Sequence, residues 1–319
     1  MIQNVSITTS HFWKVAAMLA LVVAACIASG APDAPDYRGQ KVFDTPEAAG
    51  ERLAAAVNSG NRTDLEAIFG TDAEQTLSSG DPVADRRSRE VVAAAMNQRW
   101  TLQPRDATTR ELVIGNESWP FPIPLVKDDR GWWFDTAAGR EEIRVRRIGR
   151  NELATIRTLR DYAAAQREYA QTGRDGKPAG IFAQQLRSDP GKHNGLYWPV
   201  TDAKEPRSPL GGFVAAATAE GYGKDFKEGA APYHGYYYRV LKSQGPAAPG
   251  GAKDYVINGE MTGGFAMLAY PAEYGSSGVM SFLVGPDGTV HESDLGDDTA
   301  TAAKQITSYD PGEGWQKSD

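Results

Sequence analysis

Three histidines, His193, His234 and His291, are the residues in the body of this chain best suited to acid–base or metal chemistry. Imidazole exchanges protons near neutral pH, and zinc sites combine several histidine or cysteine ligands at short, regular spacings. Here the three histidines lie far apart with no ligand spacing, and the only cysteine is Cys26. The sequence therefore predicts no histidine- or cysteine-built metal centre and no cofactor.

A serine nucleophile is also not indicated. Hydrolases of the Gly-x-Ser-x-Gly type place the serine at a strand-to-helix turn. Gly275-Ser276-Ser277-Gly278 has a different spacing and lies between two predicted strands. Paired carboxylates cannot be recognised among 41 acidic residues, because such pairs are defined by distance in space. The sequence identifies no catalytic residue, and a non-catalytic protein is the favoured interpretation.

Acidic residues cluster after the last predicted hairpin, at Glu292, Asp294, Asp297 and Asp298. Calcium takes six to eight oxygen ligands, which loops of this kind can supply, although the EF-hand pattern is absent. Asp294, Asp297 and Asp298 are therefore weak calcium candidates. The favoured alternative is a solvated turn whose aspartates cap a helix.

Two aromatic groups, Tyr197-Trp198 and Tyr233–Tyr238, are open to two interpretations. They can form a surface that binds a sugar or a peptide, or they can pack in the core and across strands. Packing is the favoured interpretation. In a strand, Tyr236 and Tyr238 share one face and Tyr237 lies on the other.

Composition excludes some function classes. The 319 residues contain 34 Lys+Arg and 41 Asp+Glu, a formal net charge of −7, whereas nucleic-acid binding normally needs a basic face. A single cysteine excludes a disulfide framework. We therefore expect no nucleic-acid partner.

Residues 1–25 are predicted to be a signal peptide. The apolar run Val15–Ala25 has 11 residues, too short for a membrane span of about 20. The residues before Cys26 resemble a bacterial lipobox, which implies lipidation of that cysteine. Cleavage near Ala28-Ser29-Gly30 is the alternative and would discard Cys26. We expect a periplasmic or envelope location, a membrane anchor through Cys26, and a tether over 26–41.

Residues 42–138 are predicted to form an α+β domain. Thr45-Pro46 begins a helix, Thr63–Glu66 is a capping box for a second, and a third covers 85–99. Strands follow at 111–114, 119–126 and 132–135, the middle one proline-rich and hence an edge strand or extended arm. This order resembles the NTF2-like and cystatin-like cone, which implies a ligand pocket inside it.

Residues 139–319 are predicted to form a second domain, a long helix packed on a glycine- and tyrosine-rich antiparallel meander. The helix covers 139–171, with a break at Asn151 as an alternative. Its arginines are expected to form a solvated face, with binding of anionic lipid or a partner as the alternative; they are Arg144, Arg146, Arg147 and Arg150.

After the long helix, a short helix is predicted at 180–186, strands at 232–241 and 264–271, and a hairpin over 279–292 with its turn at 285–288. The order of helix, meander and closing hairpin resembles the globular domain of type IV pilins and pseudopilins. Those proteins begin with an apolar helical spine, which this chain lacks.

The chain as a whole resembles an uncharacterised family of bacterial exported proteins. Matching segments include GWWFD (131–135), PYHGYYYRVL (232–241) and GVMSFLVGPDGTVHESDLG (278–296). The resemblance implies an envelope location and no assigned activity. We expect a non-catalytic interaction or structural module with an envelope protein partner; the alternative is a small-molecule binder or enzyme with a pocket in 42–138.

Overall fold

The structure, a computed structural model, describes residues 39–70, 73, 78–79, 81–200, 202, 204–223 and 231–318. Helices and antiparallel sheets alternate along these residues, which confirms the predicted α+β class. The predicted signal peptide (1–25), Cys26 and most of the tether (26–41) lie outside the described residues. In the described part of the chain, no helix combines the length and the apolar character needed to cross a membrane.

Capped helices begin the described chain. The first three are α1 (Pro46–Ser59), α2 (Arg62–Phe69) and α3 (Pro82–Gln98). Thr45 caps α1 as predicted, and its Oγ1 accepts from the Ala48 N–H at 3.1 Å. The predicted capping box at Thr63 is wrong, because the Asn61 side chain caps α2 and accepts from the Thr63 and Asp64 N–H groups.

The first sheet packs against these helices. Its strands, which run in the spatial order β1-β2-β4-β5 with β3 beside β2, are β1 (Trp100–Pro104), β2 (Thr109–Ile114), β3 (Trp119–Pro120), β4 (Leu125–Asp128) and β5 (Gly131–Phe134). All pairings are antiparallel. Of the predicted proline-rich strand 119–126, residues 119–120 form β3 and residues 125–126 begin β4, while residues 121–124 lie outside both strands. Proline has no N–H to donate to a ladder, and this interval contains Pro122 and Pro124. Buried Leu53, Ile68, Ile114 and Phe134 fill the space between helices and sheet.

One unbroken helix, α4 (Thr136–Ala170), follows the first sheet and forms the spine of the second half. The alternative break at Asn151 does not occur. Asn151 is buried within the helix, and its Nδ2 donates to the Ser277 carbonyl at 2.8 Å. A side chain that is a good cap in isolation here joins the helix to a distant loop.

The solvated-face prediction for the α4 arginines is wrong for Arg147. This side chain is 7% exposed, and its Nη1 donates to the Ser78 carbonyl at 2.8 Å. Burial lowers the pKa of Arg147, whereas Arg150 is exposed. Arg144 donates to the Gly275 carbonyl, and Arg146 donates to the Pro120 carbonyl while stacking on a tryptophan. Arg144, Arg146 and Arg147 therefore connect α4 to segments from both halves of the chain.

The second sheet is antiparallel and has the order β14-β13-β12-β11-β6. Its strands, with the short pairs that flank it, are β6 (Tyr236–Leu241), β7 (Ser243–Gln244), β8 (Lys253–Asp254), β9 (Val256–Ile257), β10 (Glu260–Met261), β11 (Ala266–Pro271), β12 (Met280–Val284), β13 (Val290–Asp294) and β14 (Gln316–Lys317). The predicted turn over 285–288 closes the β12–β13 hairpin.

Helices lie on both faces of this sheet. Tyr238 reaches α4 by donating to the Thr155 Oγ1 at 3.3 Å. Arg239, its neighbour in β6, lies on the other face and donates to the carbonyls of Ala303 and Ile306 at the end of α6 (Thr299–Gln305). The predicted helix at 180–186 is wrong, since this segment is irregular and Phe182 forms a β-bridge with Met261.

Two hydrophobic clusters make up the core, one centred on the first sheet and one between α4 and the second sheet. Residues 38–319 nevertheless belong to one compact unit. The division into domains at 138/139 stays a prediction.

Candidate functional site

An aromatic cleft opens between α4, the second sheet and α5 (Gly211–Glu220). Its principal wall residues are Tyr162, Leu186, Tyr197, Phe213, Tyr233 and Tyr238. The empty volume is about 480 Å³ when the mouth that opens to solvent is included. The space in which the centre of a water-sized group fits without overlap is about 50 Å³. At roughly 10–15 Å³ for each such group, the cleft has room for about four, which is the size of one aliphatic side chain.

The cleft wall is held by ring contacts. Tyr233 lies at its centre, with ring centroids 5.2 Å from Phe213, 4.7 Å from Tyr222 and 6.4 Å from Tyr238. Edge and tilted aromatic pairs at these distances stabilise one another beyond their burial. The rings therefore form a preformed wall.

Hydroxyl groups of the wall tyrosines are turned away from the cleft towards protein acceptors. The Tyr162 hydroxyl donates to the Ala266 carbonyl at 3.2 Å, and that of Tyr238 bonds to Thr155. The atoms that the cleft presents are apolar. Burial raises the pKa of Tyr238 to about 12 and raises that of Tyr233 further. Both phenols are neutral at physiological pH, so neither carries a charge into the apolar wall.

A histidine–glutamate pair lies next to this wall. His234 Nε2 is 3.2 Å from the Glu220 Oε2, and the His234 ring packs against Tyr222 and Tyr233. The hydrogen bond with His234 lowers the pKa of Glu220. His234 has φ of +49°, a left-handed conformation that is uncommon for residues other than glycine. Among the residues that the structure describes, no serine, threonine or cysteine side chain hydrogen-bonds to His234, so the pair lacks a nucleophile.

A buried hydrogen-bond network around Asp81 fixes the segment before β6 that carries Tyr233 and His234. Asp81 is 2% exposed, and its Oδ2 accepts from the Tyr222 hydroxyl at 2.8 Å and from the Gly235 N–H at 3.3 Å. Its Oδ1 caps α3 through the Val83 and Ala84 N–H groups, both at 3.0 Å. One carboxylate therefore joins the start of α3 to the cleft wall.

The other two histidines are separate from the cleft wall. His193 Nδ1 is 3.4 Å from the Asp175 Oδ1, and His291 Nδ1 lies 3.4 Å from the Tyr309 hydroxyl. Burial lowers the pKa of His291. Within the described ranges, no group of three or more histidine, cysteine, aspartate or glutamate residues is arranged to hold a metal ion.

The calcium hypothesis for Asp294, Asp297 and Asp298 stays a prediction. Asp294 Oδ1 accepts from the Tyr274 hydroxyl at 3.0 Å and from the Gly296 N–H at 2.9 Å. Asp298 stands at the N-cap position of α6 without a side-chain hydrogen bond to the helix.

The segment Gly275–Gly278 has a packing role. The Ser277 Oγ donates to the Glu273 carbonyl and accepts from the Glu273 N–H, while its carbonyl accepts from Asn151. The serine hydroxyl is therefore occupied by its own turn.

Each interpretation of the two aromatic groups holds for part of them. Tyr197, Tyr233 and Tyr238 line the cleft, whereas Trp198 and Tyr236 are 3% and 0% exposed in the core. Sequence reasoning missed Phe213 and Leu186, because α5 was not predicted and 180–186 was assigned to a helix. The apolar run 210–217 was the signal that could have indicated α5.

The alternative of a ligand pocket in residues 42–138 stays a prediction, and the wall residues of the aromatic cleft all lie in the second half of the chain. The interior of the first half is occupied by the aliphatic and aromatic side chains of its own core.

Comparisons with known proteins give one match. A family described as a protein of unknown function (DUF2950) matches residues 40–318. Neither the curated proteins nor the solved structures contain a significant match to this chain. The resemblances to NTF2-like and pilin globular domains therefore remain unconfirmed.

Proposed function

We propose that this chain, which belongs to the DUF2950 family of proteins of unknown function, is an exported and lipid-anchored envelope protein. Its aromatic cleft holds one hydrophobic side chain of a protein partner. The observation that carries this proposal is the small, carbon-lined volume behind Tyr233.

Cleft size favours a side chain over a free small molecule. Pockets for drug-sized ligands usually measure about 300–1,000 Å³ and combine an apolar lining with a few convergent polar groups. The space for occupying atoms here is about 50 Å³, and the exposed lining atoms are apolar. Protein interfaces are commonly anchored by a single side chain that fills such a pocket. A leucine, isoleucine or valine of a partner matches this volume.

Wall chemistry supports binding and not catalysis. Burial raises the pKa of Tyr233 and Tyr238 and keeps both phenols neutral, and the hydroxyls of Tyr162 and Tyr238 are bonded to protein. The Glu220–His234 pair places a base beside an orienting carboxylate, but nucleophilic catalysis needs a third group within hydrogen-bond reach of that base.

The envelope location rests on the leader. A short apolar run followed by small residues and Cys26 is the pattern of a lipoprotein signal. With the membrane anchor at Cys26, the tether 26–41 separates the folded body from the membrane surface.

Filling the cleft should abolish partner capture. Val214 lines the cleft and is 3% exposed, so a phenylalanine there occupies the space of the partner's side chain. We expect full-length Val214→Phe, purified with its anchor from envelope fractions, to recover about 30-fold less of the partner than wild type, equivalent to roughly 2 kcal/mol. The measurement is quantitative mass spectrometry of the captured proteins.

Val200→Phe is the matched control. The same substitution is made at a side chain that is 44% exposed and does not line the cleft, so it should capture the partner as wild type does. A thermal melt of both variants verifies folding. Equal capture by Val214→Phe and Val200→Phe, or recovery of the bait alone by wild type, contradicts the proposal.

Lipidation has its own test. In cells fed a fatty-acid probe, the wild-type chain should be labelled, and Cys26→Ala should lose the label because it removes the only thiol of the chain. Unchanged labelling of Cys26→Ala would exclude Cys26 as the acceptor and leave the cleft proposal unaffected.

A further inference from the structure

The geometry points to a second binding site, for an oxyanion of the carboxylate or phosphate type, at the guanidinium group of Arg174. This group contacts two aromatic rings, with its central carbon 4.8 Å from the Tyr169 ring centroid and 5.3 Å from that of Trp198. Two cation–π contacts restrict the guanidinium more than one contact would.

Both rings are themselves fixed. Tyr169 and Trp198 are 7% and 3% exposed. The Tyr169 hydroxyl donates to the His193 carbonyl at 2.7 Å, and the Trp198 Nε1 donates to the Pro206 carbonyl at 3.0 Å. A cation on such supports loses little side-chain entropy when a ligand binds, which is the condition for a preorganised site.

Arg174 has no anionic partner in the part of the chain that the structure describes. Its Nε is shielded from solvent without a hydrogen-bond acceptor. Other cations on this side of the molecule are paired, including Lys177 with Glu260 at 2.8 Å and Lys192 with Asp189 at 3.4 Å. A partly buried guanidinium without an acceptor has lost hydration that a bound anion would replace.

The carboxylate nearest in sequence is turned elsewhere. Asp175 has φ of +49°, a left-handed conformation that aspartate tolerates better than most residues. Its Oδ2 accepts from the His193 N–H at 2.7 Å, and its Oδ1 lies 3.4 Å from the His193 Nδ1. The strained backbone therefore directs Asp175 to His193 and leaves the guanidinium edge of Arg174 available.

This edge selects the ligand class. The terminal nitrogens of a guanidinium form a planar fork that donates two parallel hydrogen bonds to a carboxylate or a phosphate. A lysine ammonium is a point charge and cannot reproduce this geometry. The site therefore takes an oxyanion, whether free or carried by a larger molecule.

The test uses the full-length chain in detergent and the indole N–H resonance of Trp198, whose ring contacts Arg174. Inorganic phosphate and sodium acetate are titrated separately, up to tens of millimolar, with sodium chloride at matched ionic strength as the reference. We expect a saturable shift of this resonance with phosphate, acetate or both, and no saturable shift with chloride. The two arms separate a phosphate site from a carboxylate site.

Variants then assign the shift to Arg174. Arg174→Lys keeps the charge and should weaken binding about tenfold or more, because the fork is lost. Arg157→Lys, on an exposed part of α4, makes the same change away from the site and should bind as wild type does. The cleft variant Val214→Phe should also bind normally. Absence of any saturable shift in wild type, or equal binding by Arg174→Lys, overturns the site.

Discussion

Asp81→Ala is expected to lower the free energy of unfolding by about 3 kcal/mol or more. The substitution removes the cap of α3 and leaves two further donors, the Tyr222 hydroxyl and the Gly235 N–H, without their acceptor. Loss of a cap costs about 1 kcal/mol, and each buried donor left unsatisfied costs about 1–3 kcal/mol. Chemical denaturation of the full-length protein measures the change.

Tyr222→Phe tests one hydrogen bond of the network around Asp81, the bond from the Tyr222 hydroxyl. It removes the hydroxyl that donates to Asp81 and keeps the ring packed against Tyr233, so we expect a loss of about 1 kcal/mol. In the double variant, the loss should be smaller than the sum of the two single losses, because Asp81→Ala no longer leaves that hydroxyl unsatisfied. Strict additivity, or a loss below 1 kcal/mol for Asp81→Ala, would contradict the role assigned to this carboxylate.

Helix α4 illustrates how far periodicity carries a fold prediction. The apolar stripe predicted one long helix, and Ile156, Leu159 and Tyr169 are buried as expected. Apolar Leu153 is 39% exposed in the same helix, whereas polar Gln166 is fully buried. Gln166 is buried because both ends of its amide bond to the backbone of Ala183, a partner 17 residues away that periodicity cannot show.

Two predictions that depend on local partners are confirmed, although the local cap of α2 is Asn61 and not the predicted Thr63. Thr45 caps α1 through a residue three positions on, and the turn over 285–288 closes through its own backbone. Irregular segments stabilised by distant partners were not predicted. The segment at 180–186 has the composition of a short helix, yet its backbone bonds to Gln166 and Met261.

The sequence indicated some residues of the candidate site but not others. Tyr233 and Tyr238 belong to an aromatic group that the sequence indicates, and both lie on the cleft wall. Phe213 completes the wall from α5, 20 residues before Tyr233 along the chain, so its position depends on tertiary packing. Arg174 could not be predicted as a site residue, because a lone arginine has no sequence pattern. Its contacts with two aromatic rings, which only the structure shows, set it apart from other arginines of the chain.

Gly278→Ala and Gly149→Ala should change stability in opposite directions. A Cβ at Gly278 would lie 2.0 Å from the Tyr236 hydroxyl oxygen and 2.5 Å from its ring carbon Cζ. Tyr236 is fully buried and its hydroxyl donates to the Met280 carbonyl at 2.9 Å, so the ring cannot move aside cheaply. We expect Gly278→Ala to lower the free energy of unfolding by about 2–3 kcal/mol, the cost of overpacking a filled core.

Gly149 provides the matched comparison, because it lies inside α4 and a Cβ there would meet nothing within 4 Å. Alanine in a helix interior is more favourable than glycine by about 1 kcal/mol, so Gly149→Ala should raise the free energy of unfolding by up to this amount. Denaturant titrations of both variants check the sign. If Gly278→Ala is neutral, the close approach of Tyr236 to this turn is refuted; if Gly149→Ala destabilises, α4 is not continuous through this position. The combination Gly278→Ala/Tyr236→Phe removes the atom closest to the added methyl, so it should cost less than the two single changes together.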